Sequence, residues 1–594
     1  MRENLLVTTS IEESWDENSY KIILGSWHYL KSDKEIDKNG CGYEAASQYV
    51  VDSKTKQEHY KYIGLLSNRL IQDLTTALNM VHGTSYSSRY WKILLGTWTH
   101  KILAILFNRW MSVKSVLENC NVDKTIILKI PKEEIIPEGY ADFANIVGNV
   151  PEWDHMIYGE ILKNWTDIHC EEKGYNFLRS KNSHKSSKGY KNIIKLMLKS
   201  ISSVMNLFSS KKDGVLFSTY LPVWNKLKLQ ISLGQIPLYR STPKTQYIFP
   251  NHKARKYLII GNKSESDFEE FARKILSEQI PTCYLEGYER LKNSSKSLNW
   301  PQNPRFIFTS NAFDGNEFFK CWTAEKVDQG TPYIIGQHGG SYGIAEFTPS
   351  ERYEIDICDR YLTWGWTDGI KTKPAFMFNK SRKVRHCPKG GLLLIGRVFF
   401  NNVTPWNEIL EYEKYLEDQS LLASLLPINI KKRLSIRLYP GDRMADQIKN
   451  NIWNRRHPEV VVDVGERSMK NLVNNSRLIV HSYNGTGMLE HMSQNIPILI
   501  FWNEEYSVIR ESAKSHFNEL KKVGIFHTDP ESISNKIAEI WEDVEGWWNQ
   551  ESVQTVRVNF CKEYANSEGN FTHIMKELLL TVQSSEGKAP VKQL

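Results

Sequence analysis

The side chains best suited to chemistry fall in two short stretches near the middle of the chain. Ser310-Asn311-Ala312-Phe313-Asp314-Gly315-Asn316-Glu317 offers two carboxylates, Asp314 and Glu317. Gly336-Gln337-His338-Gly339-Gly340-Ser341-Tyr342 sets one imidazole among glycines, an amide and a phenol. Carboxylates and imidazoles are the common proton carriers in group transfer, so Asp314, Glu317 and His338 are the candidate acid/base or nucleophilic residues. A carboxylate beside the reacting carbon could form a covalent intermediate, whereas direct displacement needs only a base on the incoming hydroxyl. A structural histidine and a helix cap are the competing roles for His338 and Asp314. Gln337, Gly339, Gly340 and Tyr342 would shape the cleft around them.

The elements around these stretches predict how they are placed. Phe306-Ile307-Phe308 reads as a buried strand, and Phe318, Phe319, Trp322 and Val327 recur at helical spacing. Gly330-Thr331-Pro332 ends the helix, and Tyr333-Ile334-Ile335 is a second strand. Such a βαβ unit has parallel strands, and both polar clusters open at its carboxyl edge. Ligands of open α/β sheets bind at that edge.

A second set of chemical residues lies further on. Gly391–Arg397 is an apolar strand ending in Gly396-Arg397, without the GxGxxG spacing of a dinucleotide site. Residues 434–441 form a strand that carries Arg437 and Tyr439; an arginine there needs a phosphate, a carboxylate or an internal ion pair. Leu478–Gly487 runs from strand into a small polar loop, Ser482-Tyr483-Asn484-Gly485-Thr486, and Glu490 sits about one turn into the following helix. Backbone N–H groups at a helix start favour phosphate, and a carboxylate one turn later can accept from ribose hydroxyls. Strand, small polar loop, helix with Glu and strand is fairly specific for sugar-nucleotide donor domains, with a generic α/β repeat as the alternative, and it makes Gly396, Arg397, Arg437, Tyr439, Ser482, Asn484, Gly485, Thr486 and Glu490 the candidate donor contacts.

The rest of the chain bounds these readings. At 594 residues it exceeds one core, and 12% aromatic residues is a high share of the kind common in carbohydrate-handling proteins. Eight scattered cysteines without metal spacing suit reduced thiols in a cytosolic protein. Neither a leader nor a membrane span is expected. Ser10 and Glu13 suggest a capping box, residues 60–120 are mostly helical, and Glu13 and His82 are further cleft candidates. Residues 179–212 hold nine Lys or Arg and no acid, with apolar residues near one helical face; they suit an anionic membrane surface or a solvated helix on its own domain. Gly214–Tyr220 and Tyr247-Ile248-Phe249 read as strands, Asn293–Pro304 as a loop, and Lys371–Lys389 as a linker. The expected division is an acceptor-side domain over 1–385, a nucleotide-sugar domain over 386–545, and terminal helices over 546–594 that return to the first domain.

Several long segments resemble a family of surface-carbohydrate transferases encoded near bacterial O-antigen and capsule genes: TTSIEESW, HGTSYSSRYWKILLGTW, SNAFDGNEFFKCWTAEK, GQHGGSYG, DRYLTWGW, SYNGTGMLEHMSQNIPILIFWN, VGIFHTDPES and WWNQESVQTVRVNFCKEYA. More loosely, RLYP at 437–440 is similar to the basic-x-His-Pro element of CMP-sugar transferases of the GT-B type, including Kdo transferases, with Tyr439 in place of the histidine. The resemblance implies an α/β, GT-B-like fold, with two Rossmann-like domains facing a cleft and helical insertions in the N-terminal half. It implies transfer of a sugar, Kdo-like or another ulosonic acid, from a nucleotide sugar, CMP-linked before UDP- or GDP-linked, to a glycan or lipid-linked glycan. No metal or other cofactor is expected. The expected location is cytoplasmic, peripheral on the inner membrane if 179–212 binds lipid. A non-catalytic glycan- or nucleotide-binding protein of the same fold is the alternative. A nucleic-acid partner is not expected, because no helix-turn-helix, zinc or RNP pattern accompanies the basic run.

Overall fold

The computed structural model describes residues 3–25, 36–46, 49, 51–179, 205, 209–243, 248–261, 263–378, 384–398, 404, 409–440, 445–505 and 507–583. These residues form an α/β protein built on three parallel sheets. The first holds β1 (Asn4–Val7), β2 (Tyr20–Ile23), β3 (Tyr43–Ala45), β4 (Lys124–Lys129) and β5 (His169–Gly174), in the order β3-β2-β1-β4-β5. The second holds β6 (Val215–Leu216), β7 (Ile307–Thr309), β8 (Tyr333–Gly336), β9 (Arg360–Thr363) and β10 (Thr372–Pro374), side by side in chain order. The third holds β11 (Gly391–Ile395), β12 (Leu434–Arg437), β13 (Val461–Asp463), β14 (Ser476–His481), β15 (Ile498–Phe501) and β16 (Phe526–His527), ordered β13-β12-β11-β14-β15-β16. That is the doubly wound Rossmann order, and its direction reverses between β11 and β14.

The central strands are continuous apolar runs because both faces are covered: β8 and β15 are buried at every residue. β5, at a sheet edge, is by contrast mostly exposed and charged. Helices α1 (Ser53–His82) and α2 (Ser88–Asn119) follow β3, and α2 is buried around most of its circumference. It packs on α3 (Tyr140–Asn149), α4 (Pro151–Trp165) and, beyond α5 (Val223–Ser232), on α6 (Asp267–Gln279). The second sheet carries α7 (Ala312–Gly315), α8 (Glu317–Asp328) and α9 (Pro349–Ile357). The third carries α10 (Ile409–Leu425) and α11 (Thr486–Ser493).

The βαβ unit forms as its sequence predicts, with Phe308 opposite Ile334 in a parallel register. The N-terminal half, however, holds two sheets rather than one. Glu12–Ser14 is a short 3-10 turn preceded by Ile11 with no side-chain cap, so Ser10 and Glu13 do not make a capping box. Ile248 and Phe249 lie outside any strand, while Tyr247 is outside the described residues. Tyr288–Lys296 is helical, which shortens the loop expected at 293–304. The expected linker is shortened too: residues 372–374 are β10, and Ala375–Phe378 are buried. Within the basic stretch, Arg179 pairs with Asp142 at 3.0 Å; residues 180–204 and 206–208 are outside the described set.

The last helices, α12 (Glu551–Tyr564) and α13 (Phe571–Leu580), return to the second sheet. Asn566 N–H donates to the Trp364 carbonyl at 2.8 Å and the Asn566 amide to the Ala375 carbonyl at 2.8 Å. Gly365, at φ 144°, lets the backbone pass so close that a side chain would collide with the carbonyls of Lys562 and Glu563. Arg557 on α12 meanwhile donates to the Met492 carbonyl of α11 at 2.9 Å, so this helix spans both sheets.

Candidate functional site

At the carboxyl edge of the second sheet, β8 runs into Gln337-His338. Gln337 is fully buried and works as a clamp: its amide donates to the Gly339 carbonyl at 2.8 Å, and its oxygen accepts from Trp364 N–H and the Trp366 indole, each at 2.9 Å. The clamp presents His338, whose Nε2 lies 3.1 Å from Glu354 Oε1 and 3.1 Å from the Tyr342 hydroxyl. Glu354 is fully buried on α9 and also accepts from the hydroxyls of Tyr342, at 2.6 Å, and Tyr361, at 3.0 Å. A carboxylate held this way fixes the imidazole's orientation. Burial by itself would lower the His338 pKa, but the Glu354 charge and hydrogen bond, with Asp314, outweigh it and hold it above the ordinary value.

Asp314 sits on the short helix α7 after β7. Burial pushes its carboxyl up to about 6; Glu354 and Glu317 add to the rise, and Lys320 and His338 oppose it. A carboxylate of that basicity beside an oriented histidine is the pattern of an acid/base pair. The Tyr220 ring stacks 6.4 Å from His338, and Asn311 donates to the Tyr220 hydroxyl at 2.9 Å. Ser218 and Tyr220 both take positive φ, 52° and 54°, backbone strain of a kind that gathers at functional sites.

Glu317 does something else. Its Oε1 accepts from Tyr140 N–H at 2.8 Å, and its Oε2 meets Lys320 at 2.9 Å and the Tyr284 hydroxyl. Both oxygens of this buried carboxylate are engaged, so Glu317 ties α8 to α3 and the geometry gives it a positioning role. His82 packs on Tyr288 and bonds the Tyr284 carbonyl at 3.0 Å, and Glu13 is exposed on the first sheet's flank; neither shares a partner with His338.

On the third sheet the candidate loop falls at the topological switch point, outside the ends of β11 and β14. A hydrogen-bond chain braces it: Arg397 N–H donates to the Tyr415 hydroxyl at 3.0 Å, Tyr415 bonds Ser482 Oγ at 2.6 Å, and Ser482 donates to the Ile395 carbonyl at 2.6 Å. The Arg397 guanidinium lies over the Tyr412 and Tyr415 rings, 5.3 and 5.2 Å from their centroids, and has no carboxylate partner among the described residues. Its Nε and the Asn484 Oδ1 are buried without hydrogen-bond partners there. Gly396 donates its N–H to the Arg437 carbonyl at 2.9 Å. Glu490 is half-buried on α11, and Tyr439 is exposed. Arg437 is different from the expected phosphate ligand: it is buried against Asp463 and donates to the Arg467 carbonyl at 2.9 Å. An internal ion pair answers its burial.

The two edges touch. Gly340 N–H donates to Thr486 Oγ1 at 3.1 Å, and a Cβ on Gly340 would stand 2.5 Å from the Thr486 nitrogen. Gly485 precedes the first turn of α11, so the histidine loop lies on the small-residue loop itself. A second contact pairs Ala345 with Ile509, and Arg510 bonds Glu351 at 2.7 Å. Sequence reasoning misses Glu354 and Tyr220. The signal for Glu354 is its spacing from Glu351 and Ile357, which puts an acid on the buried face of α9.

Parallel sheets facing each other at their carboxyl edges, bridged by returning C-terminal helices, define a GT-B-like α/β protein. The chain belongs to the LIC12162 family of transferases, whose family model matches residues 4–579. No curated protein matched. Among solved structures it is similar to MnaA of S. aureus in a UDP co-structure, at 13% identity over 50% of this chain and 80% of that one, TM-score 0.32. It is also similar to a UDP-forming α,α-trehalose-phosphate synthase from Burkholderia vietnamiensis, at 11% identity over 50% and 79%, TM-score 0.30. WaaG, a glycosyltransferase involved in lipopolysaccharide biosynthesis, matches at 9% identity over 50% and 95%, TM-score 0.26. These likenesses are too distant to carry function. Among the described residues, no helix is long and apolar enough to cross a membrane.

Proposed function

We propose that this transferase is a glycosyltransferase moving a sugar from a nucleotide-sugar donor to a glycan acceptor of a surface polysaccharide, O-antigen or capsule. The observation that carries the reading is the contact of Gly340 with Thr486, which sets the His338–Asp314 group against the start of α11. As the bond from sugar to phosphate breaks, negative charge gathers on the departing nucleotide. In this reading the N–H groups at the start of α11 and the Arg397 guanidinium meet it. Asp314, ionised at neutral pH yet basic for a carboxylate, takes the proton of the attacking hydroxyl. His338, oriented by Glu354, presents its imidazole to the same cleft. The RLYP likeness makes a CMP-linked ulosonic acid the first donor to try.

The test is a thermal-shift panel of CMP, UDP, GDP and dTDP, followed by transfer assays with the matching sugar nucleotides. Binding to the native state raises apparent stability. One nucleotide is expected to raise Tm, and its sugar conjugate to be consumed when an acceptor is present. A panel with no shift at millimolar nucleotide would overturn the reading.

A further inference from the structure

We propose that Tyr220 is the platform on which the acceptor sugar lies, beside His338. The inference rests on the glycan-acceptor reading and adds to it the residue that holds the reacting sugar and the kind of sugar face it takes.

Tyr220 follows β6 in a loop that is fastened to the turn carrying Asp314. Ser310 N–H donates to the Ser218 carbonyl at 3.0 Å, and Ser310 Oγ donates to the Thr219 carbonyl at 3.1 Å. The Asn311 side chain accepts from the Ser218 hydroxyl and donates to the Tyr220 hydroxyl, the latter at 2.9 Å. Asp314 lies three residues beyond Asn311, and its N–H donates to the Asn311 carbonyl at 3.3 Å. One frame therefore sets both Tyr220 and the carboxylate that would act as base.

Within this frame the tyrosine is neither relaxed nor buried. Thr219 and Leu221 on either side are buried, whereas Tyr220 is 46% exposed. Its φ of 54° is a left-handed conformation that glycine adopts without penalty and a tyrosine does not. A ring left half open recovers only part of that cost by packing, so the fold alone gives no reason for an aromatic side chain here. The ring plane lies within 19° of the His338 imidazole, with centroids 6.4 Å apart. An open aromatic ring is thus held beside the His338–Asp314 group.

A pyranose has the chemistry to use it. The C–H groups of one sugar face make an apolar patch that packs on an aromatic ring. The Tyr220 hydroxyl accepts from Asn311, and its own hydrogen remains to donate to a sugar oxygen. A sugar with an unbroken C–H face is favoured over one whose face is interrupted by a hydroxyl. A nucleobase would stack as well, but in the proposed function the nucleotide's phosphates lie against α11 and Arg397 on the third sheet. Nucleotide stacking at Tyr220 is the competing outcome of the test.

The experiment places a fluorotyrosine at position 220 of the full chain and follows its fluorine NMR resonance. Titration with methyl β-glucoside, methyl β-galactoside and methyl β-N-acetylglucosaminide is expected to move the resonance saturably with at least one probe, while CMP and UDP leave it in place. Saturation-transfer NMR with the same probes then compares variants. Tyr220→Ala and Tyr220→Gly should weaken binding about three- to tenfold, the scale of one lost stacking contact, and Tyr220→Phe should retain most of the affinity. Glycine takes the positive φ freely, so the Tm of Tyr220→Gly should stay near the parent's and separate lost binding from lost fold. The proposal is overturned if no glycoside moves the resonance, if the nucleotides move it instead, or if the Ala and Gly variants bind like the parent. Nucleotide binding with no glycoside at Tyr220 would remove this platform and leave the glycosyltransferase reading intact. Glycoside binding at Tyr220 with no nucleotide binding would do the reverse.

Discussion

At the carboxyl edge of the second sheet the polar side chains are bound chiefly to one another: His338 and the hydroxyls of Tyr342 and Tyr361 converge on Glu354, and Gln337 is saturated by the Trp364–Trp366 turn. At the edge of the third sheet the side chains brace backbone, through Arg397, Tyr415 and Ser482, and leave Asn484 Oδ1 and Arg397 Nε without partners among the described residues. The first arrangement sets the protonation and direction of a few groups. The second holds a polar rim in place. In the proposed function neither edge supplies both proton transfer and a phosphate cradle, so the contact of Gly340 with Thr486 is where the two would meet. A division of this kind makes the effects of substitution on rate and on binding separable.

The largest separation is expected from the second sheet. His338→Ala and Asp314→Asn should slow transfer by about 10²–10⁴-fold, the usual worth of general acid–base help, with nucleotide affinity nearly unchanged. Calorimetry beside steady-state assays checks it, and near-parental rates in both variants would move the chemistry elsewhere. Gly340→Ala attacks the junction instead. Its Cβ would stand 2.5 Å from the Thr486 nitrogen, so the edges must part. A loss of about 10–100-fold in kcat is expected from misplaced reacting groups, with small-angle scattering reporting any opening. If kcat and scattering both match the parent, the junction does not govern catalysis.

On the third sheet, Arg397→Ala and Arg437→Ala should differ in kind. Losing Arg397 should cost roughly 1.5–3 kcal/mol of nucleotide binding, as for a charge-assisted hydrogen bond, while the fold keeps its stability. Losing Arg437 takes from the buried Asp463 its buried cation and leaves the more exposed Arg467, so stability falls instead. Denaturant melts and nucleotide titrations on both variants decide between them; equal affinity losses would restore Arg437 to the donor site.

The smallest effect concerns pH. Because burial raises Asp314 to about 6, its ionised form is disfavoured in the native state above the pKa of the unfolded chain. In the window between the unfolded value and about 6 the native state binds more protons, so this group's contribution makes stability fall as pH rises. Asp314→Asn should therefore stabilise the protein by roughly 1–3 kcal/mol at pH 7, with no gain at pH values below both pKa values. Transfer by the parent should rise with pH through about 6 as the base is freed. Denaturant melts across pH check the first, and initial rates check the second.

Much of this arrangement is legible in the residues. The runs Tyr333-Ile334-Ile335 and Ile498–Phe501 read as buried strands from their length and flanking turns, and Ser482–Thr486 between strand and helix reads as a small polar loop. Local periodicity and turn chemistry act over a few residues, so they survive in a single sequence. What needed the tertiary structure is everything set by contacts between distant residues. Arg437 and Arg397 each follow an apolar strand, yet one meets Asp463 on the neighbouring strand and the other lies on tyrosines of α10. Asp314 and Glu317 are three positions apart, yet Glu317 has both oxygens held, by the Tyr140 N–H, the Tyr284 hydroxyl and Lys320, while burial leaves Asp314 basic. Whether an arginine binds a ligand or a neighbour, and whether a carboxylate is basic or spent, depends on partners 26 to 177 residues away for Asp463 and Tyr140. Strand order decides which residues meet, and no local pattern encodes it.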